Sequence, residues 1–159
     1  MVIPGCSRAR SAAERRAAVT RPELFLRLIP RTERDMSAKR ILVVDDNDDV
    51  RYLLLLLLER SGGYETLGAA TGQEAMEKAI SGRPDLILMD IRLPDISGVD
   101  ATKAIKNNPC TGQIPIVAYS ALPLVGWKQR AFQAGMVAYL QKPVNLKLLM
   151  ETIQKFVPS

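Results

Sequence analysis

From residue 41 onward, short apolar runs alternate with stretches in which apolar residues recur at the spacing of an α-helix. The apolar runs predict β-strands at residues 41–44, 64–69, 86–89, 114–119 and 137–140. The periodic stretches between them predict helices at residues 48–60, 71–81, 99–106, 127–134 and 146–156. Five strand–helix units therefore follow one another along the chain.

Capping residues support these boundaries. Asp48 or Asp49 is expected to cap the first helix, and Asn145 the last. Thr71 followed by Glu74 forms the pattern of a capping box. Because the strands are apolar throughout, they belong in a sheet that is covered on both faces. With right-handed crossovers, the units predict an α/β fold with a doubly wound, five-stranded parallel sheet.

Polar residues follow four of the five strands. Asp45 and Asp46 end the first strand, Asp90 the third and Ser120 the fourth, and Lys142 follows the fifth. In doubly wound sheets, ligands bind at the carboxyl ends of the strands. Three converging carboxylates need a cation, and Mg²⁺ suits a site of few carboxylates and phosphate oxygens. With the serine hydroxyl and the lysine, they describe a pocket for a phosphoryl group beside a carboxylate nucleophile.

Each of these residues, taken alone, has an ordinary structural explanation. An aspartate after a strand most often caps a helix, and a lysine before proline is usually a solvated loop charge. The joint pattern at four strand ends favours a functional site instead.

Charge is concentrated in the leader, residues 1–37, which carries eight arginines and four acidic residues, a net charge of +4. Residues 38–159 carry 14 basic and 13 acidic residues, a net charge of +1, and are expected to form the globular domain. The leader is either a disordered arm or upstream sequence translated from a mis-assigned start, and we favour the mis-assigned start. Because residues 38–159 are nearly neutral, nucleic-acid binding through a positive electrostatic field of the whole domain has little support.

Other classes of protein are disfavoured by composition. The chain has no histidine, which excludes histidine catalysis and histidine-ligated zinc. Its leucine run, residues 53–58, is far shorter than the roughly 20 residues needed to span a bilayer. Arginines interrupt any signal-peptide core at the N-terminus. We therefore expect a cytoplasmic protein with no membrane partner.

Four motifs resemble those of response-regulator receiver domains, the CheY-like superfamily with a flavodoxin-like fold. They are VVDD at 43–46, MDIRLPDISG at 89–98, SA at 120–121 and YLQKP at 139–143. The resemblance covers about residues 39–157 and suggests the stand-alone, single-domain type. It implies that Asp90 accepts a phosphoryl group from a histidine kinase or a histidine phosphotransfer protein. Such a protein is a phosphoacceptor in a phosphorelay rather than an enzyme, and it acts on an unknown downstream protein.

The resemblance also implies roles for the other site residues. Mg²⁺ would be held by Asp45, Asp46, Asp90 and the backbone carbonyl of Arg92. Ser120 and Lys142 would contact the phosphoryl oxygens, and Ser120 and Tyr139 would form the switch.

Two surfaces are more apolar than the fold requires, and both are candidate partner-binding sites. One comprises Leu122, Leu124 and Trp127, where the fourth helix begins, although Phe132 is expected to pack on the core. The other includes Leu55, which faces away from an inward stripe of four residues on the first helix: Val50, Leu53, Leu54 and Leu57.

Two alternative functions remain open at this point. A haloacid-dehalogenase-like phosphatase also uses an aspartate nucleophile, but it needs a second aspartate two residues later, where this chain has Arg92. A nucleic-acid-binding regulator could use the basic leader, but the leader lacks interleaved aromatic residues and no helix-turn-helix follows the domain.

Overall fold

A computed structural model describes residues 38–158 of the chain. The leader, and the prediction made for it, lie outside the described residues. The strands are β1 (Arg40–Val44), β2 (Glu65–Ala69), β3 (Leu86–Met89), β4 (Ile116–Ser120) and β5 (Ala138–Gln141). The helices are α1 (Asp48–Gly62), α2 (Gly72–Gly82), α3 (Gly98–Asn107), α4 (Leu124–Ala134) and α5 (Leu146–Phe156).

All five strands are parallel and lie in the order β2-β1-β3-β4-β5. Successive residues of β1 point to opposite faces of this sheet. Leu42 and Val44 pack with α2, α3 and α4 on one face. Ile41 and Val43 pack with α1 and α5 on the other. The predicted doubly wound α/β fold is confirmed, and the carboxyl ends of all five strands meet at one edge.

Side-chain caps define where several helices begin. Asn47, rather than Asp48 or Asp49, caps α1, because its side chain accepts hydrogen bonds from the backbone N–H groups of Asp49 and Val50. The predicted cap of α1 was therefore wrong by one or two residues. Thr71 caps α2 and Asn145 caps α5, both as predicted.

The buried face of α1 differs from the prediction. Leu54 and Leu58 are buried, whereas Leu53 is 56% exposed, so its assignment to the inward stripe was wrong. Leu55, expected to face outward, is half-buried against the core formed with α5. Six consecutive leucines give every helical face the same hydrophobicity, so periodicity alone could not orient this helix.

Helix α4 contains a kink near its start. Val125 and Gly126 have non-helical backbone angles, and Gly126 has φ +82°, which glycine adopts without a steric penalty. Regular helix therefore begins near Trp127, as the sequence predicted. Phe132 is 42% exposed, so the expectation that it packs on the core was wrong. Within residues 38–158, no helix is long and apolar enough to cross a bilayer.

Candidate functional site

Three carboxylates lie together where β1 and β3 end. Asp45 and Asp90 are buried, whereas Asp46 is exposed. One oxygen from each lies within 4.8 Å of an oxygen of the other two. The neighbouring, in-register ends of β1 and β3 produce this convergence, because Val44 pairs with Met89 and the acidic residues come next.

Lys142 is the counter-charge of this cluster. Its Nζ lies 2.6 Å from Asp45 Oδ2 and 3.2 Å from Asp90 Oδ2. The same ammonium lies 5.0 Å from the centre of the Tyr119 ring. Its backbone N–H donates to the Ser120 carbonyl at 2.8 Å, which ties the end of β5 to the end of β4. One cation is thus shared between two buried carboxylates.

The electrostatics follow from burial and from these close charges. Burial raises the pKa of Asp90 above its usual value and the charge of Asp45 adds to the increase, while Lys142 opposes it. Burial lowers the pKa of Lys142, but the hydrogen bond to Asp45 and the charge of Asp90 outweigh it, so that this pKa is raised. Lys142 is therefore held in its charged form beside a carboxylate whose negative charge is disfavoured.

Backbone groups fix the orientation of both buried carboxylates. Asp45 Oδ1 accepts from the Asn47 N–H at 2.9 Å, and Asp90 Oδ1 accepts from the Arg92 N–H at 3.2 Å.

The loop after Asp90 returns so closely that a Cβ on Gly98 would lie 2.1 Å from the Asp90 carbonyl oxygen. Glycine at position 98 is therefore required for this loop to close.

Ser120, Leu122 and Tyr139 form a second group beside the carboxylates. Ser120 is buried, and its Oγ accepts from the Leu122 N–H at 3.3 Å. Tyr139 donates its hydroxyl proton to the Leu122 carbonyl at 2.9 Å. Burial raises the pKa of the Tyr139 hydroxyl, and this effect exceeds the opposing hydrogen bond to Ser120. The loop that begins after Ser120 is thus held by both residues assigned to the switch.

The donor set suits a hard divalent cation. The side chain of Asp46 makes no hydrogen bond or ion pair among residues 38–158, so its oxygens are available to a cation. Mg²⁺ prefers oxygen ligands and commonly uses one or two carboxylates together with water. The backbone carbonyl of Arg92, an exposed residue two positions after Asp90, is the further candidate ligand.

The predicted partner-binding residues lie on opposite faces of the sheet. Leu122 and Trp127 are half-buried against the core beneath α4, whereas Leu124 is 41% exposed. The guanidinium of Arg130 stacks 5.0 Å from the Trp127 ring centre. Leu55 lies on α1, which covers the other face. The structure therefore does not join these residues into one surface.

Two neighbours of the site were missed from the sequence. Tyr119 lies beneath Lys142, and the guanidinium of Arg51 donates to the Asp45 carbonyl at 2.7 Å. A signal existed for Arg51, since it is a charged residue that lies one turn after a helix cap and two residues before the leucine run. Its contact with β1 still depends on how α1 packs.

Comparisons with known proteins agree with this arrangement. The family model for the response regulator receiver domain matches residues 41–154. The polar-differentiation response regulator DivK of Brucella anthropi is 40% identical over 119 residues, which cover 75% of this chain and 96% of DivK.

Solved structures show the same fold. The chemotaxis protein CheY4 of Vibrio cholerae is 30% identical, with a TM-score of 0.72, over 76% of this chain and 100% of CheY4. The receiver domain of the sensor histidine kinase PA1611 of Pseudomonas aeruginosa, with a magnesium ion coordinated in its active-site cleft, is 36% identical. Its TM-score is 0.70, over 77% of this chain and 100% of that domain. The chain therefore belongs to the response regulator receiver family, the CheY-like superfamily.

Proposed function

We propose that this receiver domain accepts a phosphoryl group on Asp90, with Mg²⁺ beside it, and signals through contacts with other proteins. The family model for the response regulator receiver domain matches residues 41–154, and the similarity to the response regulator DivK extends over 119 residues. The observation that carries the proposal is the position of Lys142, whose ammonium contacts both Asp45 and Asp90. This places a fixed positive charge beside the carboxylate that would become phosphorylated.

The proposed phosphoryl transfer involves no change of oxidation state and so needs no redox partner. One carboxylate oxygen of Asp90 forms a bond to phosphorus as the bond from phosphorus to a histidine nitrogen of the donor breaks. The electron pair of the broken bond returns to the imidazole. Lys142 offsets charge on the phosphoryl oxygens. Mg²⁺, held by Asp45, Asp46, Asp90 and the Arg92 carbonyl, would neutralise further negative charge there.

Ser120 and Tyr139 supply the proposed response to phosphorylation. Ser120 Oγ now accepts from the Leu122 N–H, but its own proton could be donated to a phosphoryl oxygen. Movement of Ser120 toward that oxygen would alter the loop to which Tyr139 is hydrogen-bonded. The proposal thus links Asp90 to the surface at the start of α4, where Leu122, Leu124 and Trp127 would contact a partner.

The proposed partners are a histidine kinase or a histidine phosphotransfer protein as the donor and a further protein downstream. Leu55 is half-buried, so it would offer a partner less apolar surface than Leu124 or Val125, although Tyr52 and Leu53 on the same helix are exposed. In this proposal the domain receives a phosphoryl group and is not a phosphatase, because position 92 holds an exposed arginine where the phosphatase mechanism needs a second acid. Nothing in the described domain favours nucleic-acid binding.

Chemical phosphorylation tests the proposal. Incubation with acetyl phosphate and Mg²⁺ should add one phosphoryl group, stable in acid and labile in base, detectable by intact mass spectrometry. Asp90→Asn should abolish the addition, whereas Asp49→Asn, a change at an exposed aspartate of α1, should not. Equal uptake by Asp90→Asn and the wild type would contradict the assignment.

A further inference from the structure

Arg51 lies on the first turns of α1, beside the carboxylate cluster but outside the set of residues so far given a role. Its side chain is 20% exposed, and its guanidinium has two partners. Nη1 donates to the Asp45 backbone carbonyl at 2.7 Å, and Nη2 donates to Asp48 Oδ1. The planar guanidinium therefore bridges the end of β1 and the start of α1.

The carbonyl that Arg51 holds belongs to the peptide group joining Asp45 to Asp46. On the other side of Asp45, its N–H donates to the Ala69 carbonyl at 3.0 Å, so β2 fixes that end. Asp46 lies beyond β1 and before α1, where neither a strand ladder nor a helix determines its backbone. The hydrogen bond from Arg51 therefore fixes the peptide that carries the exposed carboxylate of the cluster.

Gly68 on β2 provides the space for this arginine. A Cβ added at position 68 would lie 3.3 Å from Arg51 Cδ and 3.4 Å from Leu55 Cδ1. Both separations are close for a Cβ contact, and the branches of a larger side chain would extend further into the same space. The glycine thus lets the arginine stem lie flat against β2 while its guanidinium reaches the Asp45 carbonyl.

We propose that Arg51 is a positioning residue for the cation site, and that it holds the Asp45–Asp46 peptide so that Asp46 faces the same point as Asp45 and Asp90. The inference rests on the proposed function, because it assumes that these carboxylates bind Mg²⁺. It assigns to Arg51 no contact with the cation or with the phosphoryl group.

The charge of Arg51 and its proposed positioning role predict opposite changes in Mg²⁺ affinity when the arginine is removed, so the two explanations can be separated. Arg51 is positive, so if only its charge mattered, its removal would strengthen the binding of a divalent cation nearby. If it positions Asp46, its removal weakens binding, since loss of a group that orients a metal ligand typically costs about 10–100-fold in affinity. The sign of the change therefore distinguishes the two explanations.

The experiment is a Mg²⁺ titration of the full chain, followed by the amide NMR shifts of Asn47 and Arg92. We expect Arg51→Gln to weaken Mg²⁺ affinity by about tenfold or more. Gly68→Val leaves every charge in place but displaces the arginine stem, and it should weaken affinity in the same direction. The matched control is Arg40→Gln, because Arg40 also donates to a backbone carbonyl, that of Gly82 at 2.6 Å, but at the opposite edge of the sheet.

The outcomes are distinct. Weaker binding in Arg51→Gln and Gly68→Val, with unchanged binding in Arg40→Gln, supports the positioning role. Unchanged or tighter binding in Arg51→Gln overturns it while leaving the proposed function intact. If Arg51→Gln does not fold, Gly68→Val decides alone, and unchanged affinity there overturns the inference. Absence of Mg²⁺ binding by the wild type would overturn the cation-dependent function and this inference together.

Discussion

At Lys142, one ammonium group is hydrogen-bonded to two buried carboxylates that would otherwise repel each other. Removing one partner of a buried charge pair leaves the other uncompensated, so this lysine contributes to the fold as well as to the proposed chemistry. A phosphoryl group on Asp90 would bring new negative charge to the same ammonium. Lys142 would therefore connect the stability of the fold with the proposed phosphorylation.

Substitution of this lysine should separate the two contributions. We predict that Lys142→Gln slows phosphorylation by acetyl phosphate about 10²–10³-fold, since it removes a preorganised charge beside the reacting group. Initial rates of phosphoprotein formation, measured on protein shown to be folded by circular dichroism, check this. Lys147→Gln, at a lysine with an 86% exposed side chain, is the control. A wild-type rate in Lys142→Gln would show that the ammonium takes no part in transfer.

Two buried threonines offer a matched test of how polar groups are accommodated in this core. Thr102 Oγ1 is buried and has no hydrogen-bond partner among the described residues, whereas Thr111 Oγ1 donates to the Ile105 carbonyl at 2.7 Å. Replacing the first hydroxyl by a methyl group should raise the free energy of unfolding by about 1 kcal/mol, and the same change at Thr111 should lower it by about as much. Urea unfolding of Thr102→Val and Thr111→Val measures both. Equal effects of the same sign would contradict this account.

At the scale of elements, the loop after Asp90 is hydrogen-bonded to the start of α2. Asp95 Oδ1 accepts from the Gly72 N–H and Oδ2 from the Gln73 N–H, each at 2.8 Å. Together with the Thr71 cap, these bonds satisfy N–H groups that have no partner inside the helix. The helix therefore depends for its capping on a side chain from the loop that carries Asp90.

This cap should give stability a specific pH dependence. The hydrogen bonds from Gln73 and Gly72 lower the pKa of Asp95 below its ordinary value of about 3.9. Its stabilising contribution is therefore present above that value and is lost as the pH falls through the lower, folded-state pKa. We predict that Asp95→Asn is less stable than the wild type at neutral pH and that the difference shrinks in acid. Urea unfolding at a series of pH values measures it, and a difference independent of pH would contradict the assignment.

The start of α4 should tolerate polar substitution at its exposed positions. Val125 is 89% exposed and Leu124 is 41% exposed, whereas Trp127 packs on the core and stacks with Arg130. We predict that serine at 124 or 125 changes the free energy of unfolding by less than about 0.5 kcal/mol, and that Trp127→Ala lowers it by about 1–3 kcal/mol. If the serine variants lose as much stability as Trp127→Ala, these positions serve the core rather than a partner.

Local sequence signals predicted most elements but not how each helix is oriented. Periodicity and capping chemistry predict the strands, the Thr71 and Asn145 caps and the regular part of α4. The orientation of α1 could not be predicted, because the leucine run fits any face and packing against the sheet decides which residues are buried. The exposure of Phe132 likewise depends on where α4 rests against the sheet.

At the scale of the whole molecule, the candidate site follows from one topological rule. Parallel strands bring their carboxyl ends to one edge, so residues as distant in sequence as Asp45 and Lys142 were predicted to meet, and they lie 2.6 Å apart. Arg51 and Tyr119 were not predicted, since their contacts come from packing rather than from a position at a strand end. Rules of topology thus identify the charged centre, while the residues that support it require the three-dimensional structure.

The arrangement of the layers also separates the two apolar surfaces that the sequence indicated. Helix α4 lies with α2 and α3 on one face of the sheet, whereas α1 lies with α5 on the other face. The carboxylate cluster lies at the edge common to both faces. A partner bound at α4 would therefore leave α1 accessible to a phosphoryl donor that approaches the same edge.

Chemical mapping of the phosphorylated residue tests the central claim most directly. After treatment with acetyl phosphate and Mg²⁺, borohydride reduces an aspartyl phosphate to homoserine, and peptide mass spectrometry locates the converted residue. We predict homoserine at position 90 alone, with conversion dependent on Mg²⁺ and absent from Asp90→Asn. Conversion at Asp45 or Asp46, or none at any aspartate, would contradict the account of Asp90 as the phosphoacceptor.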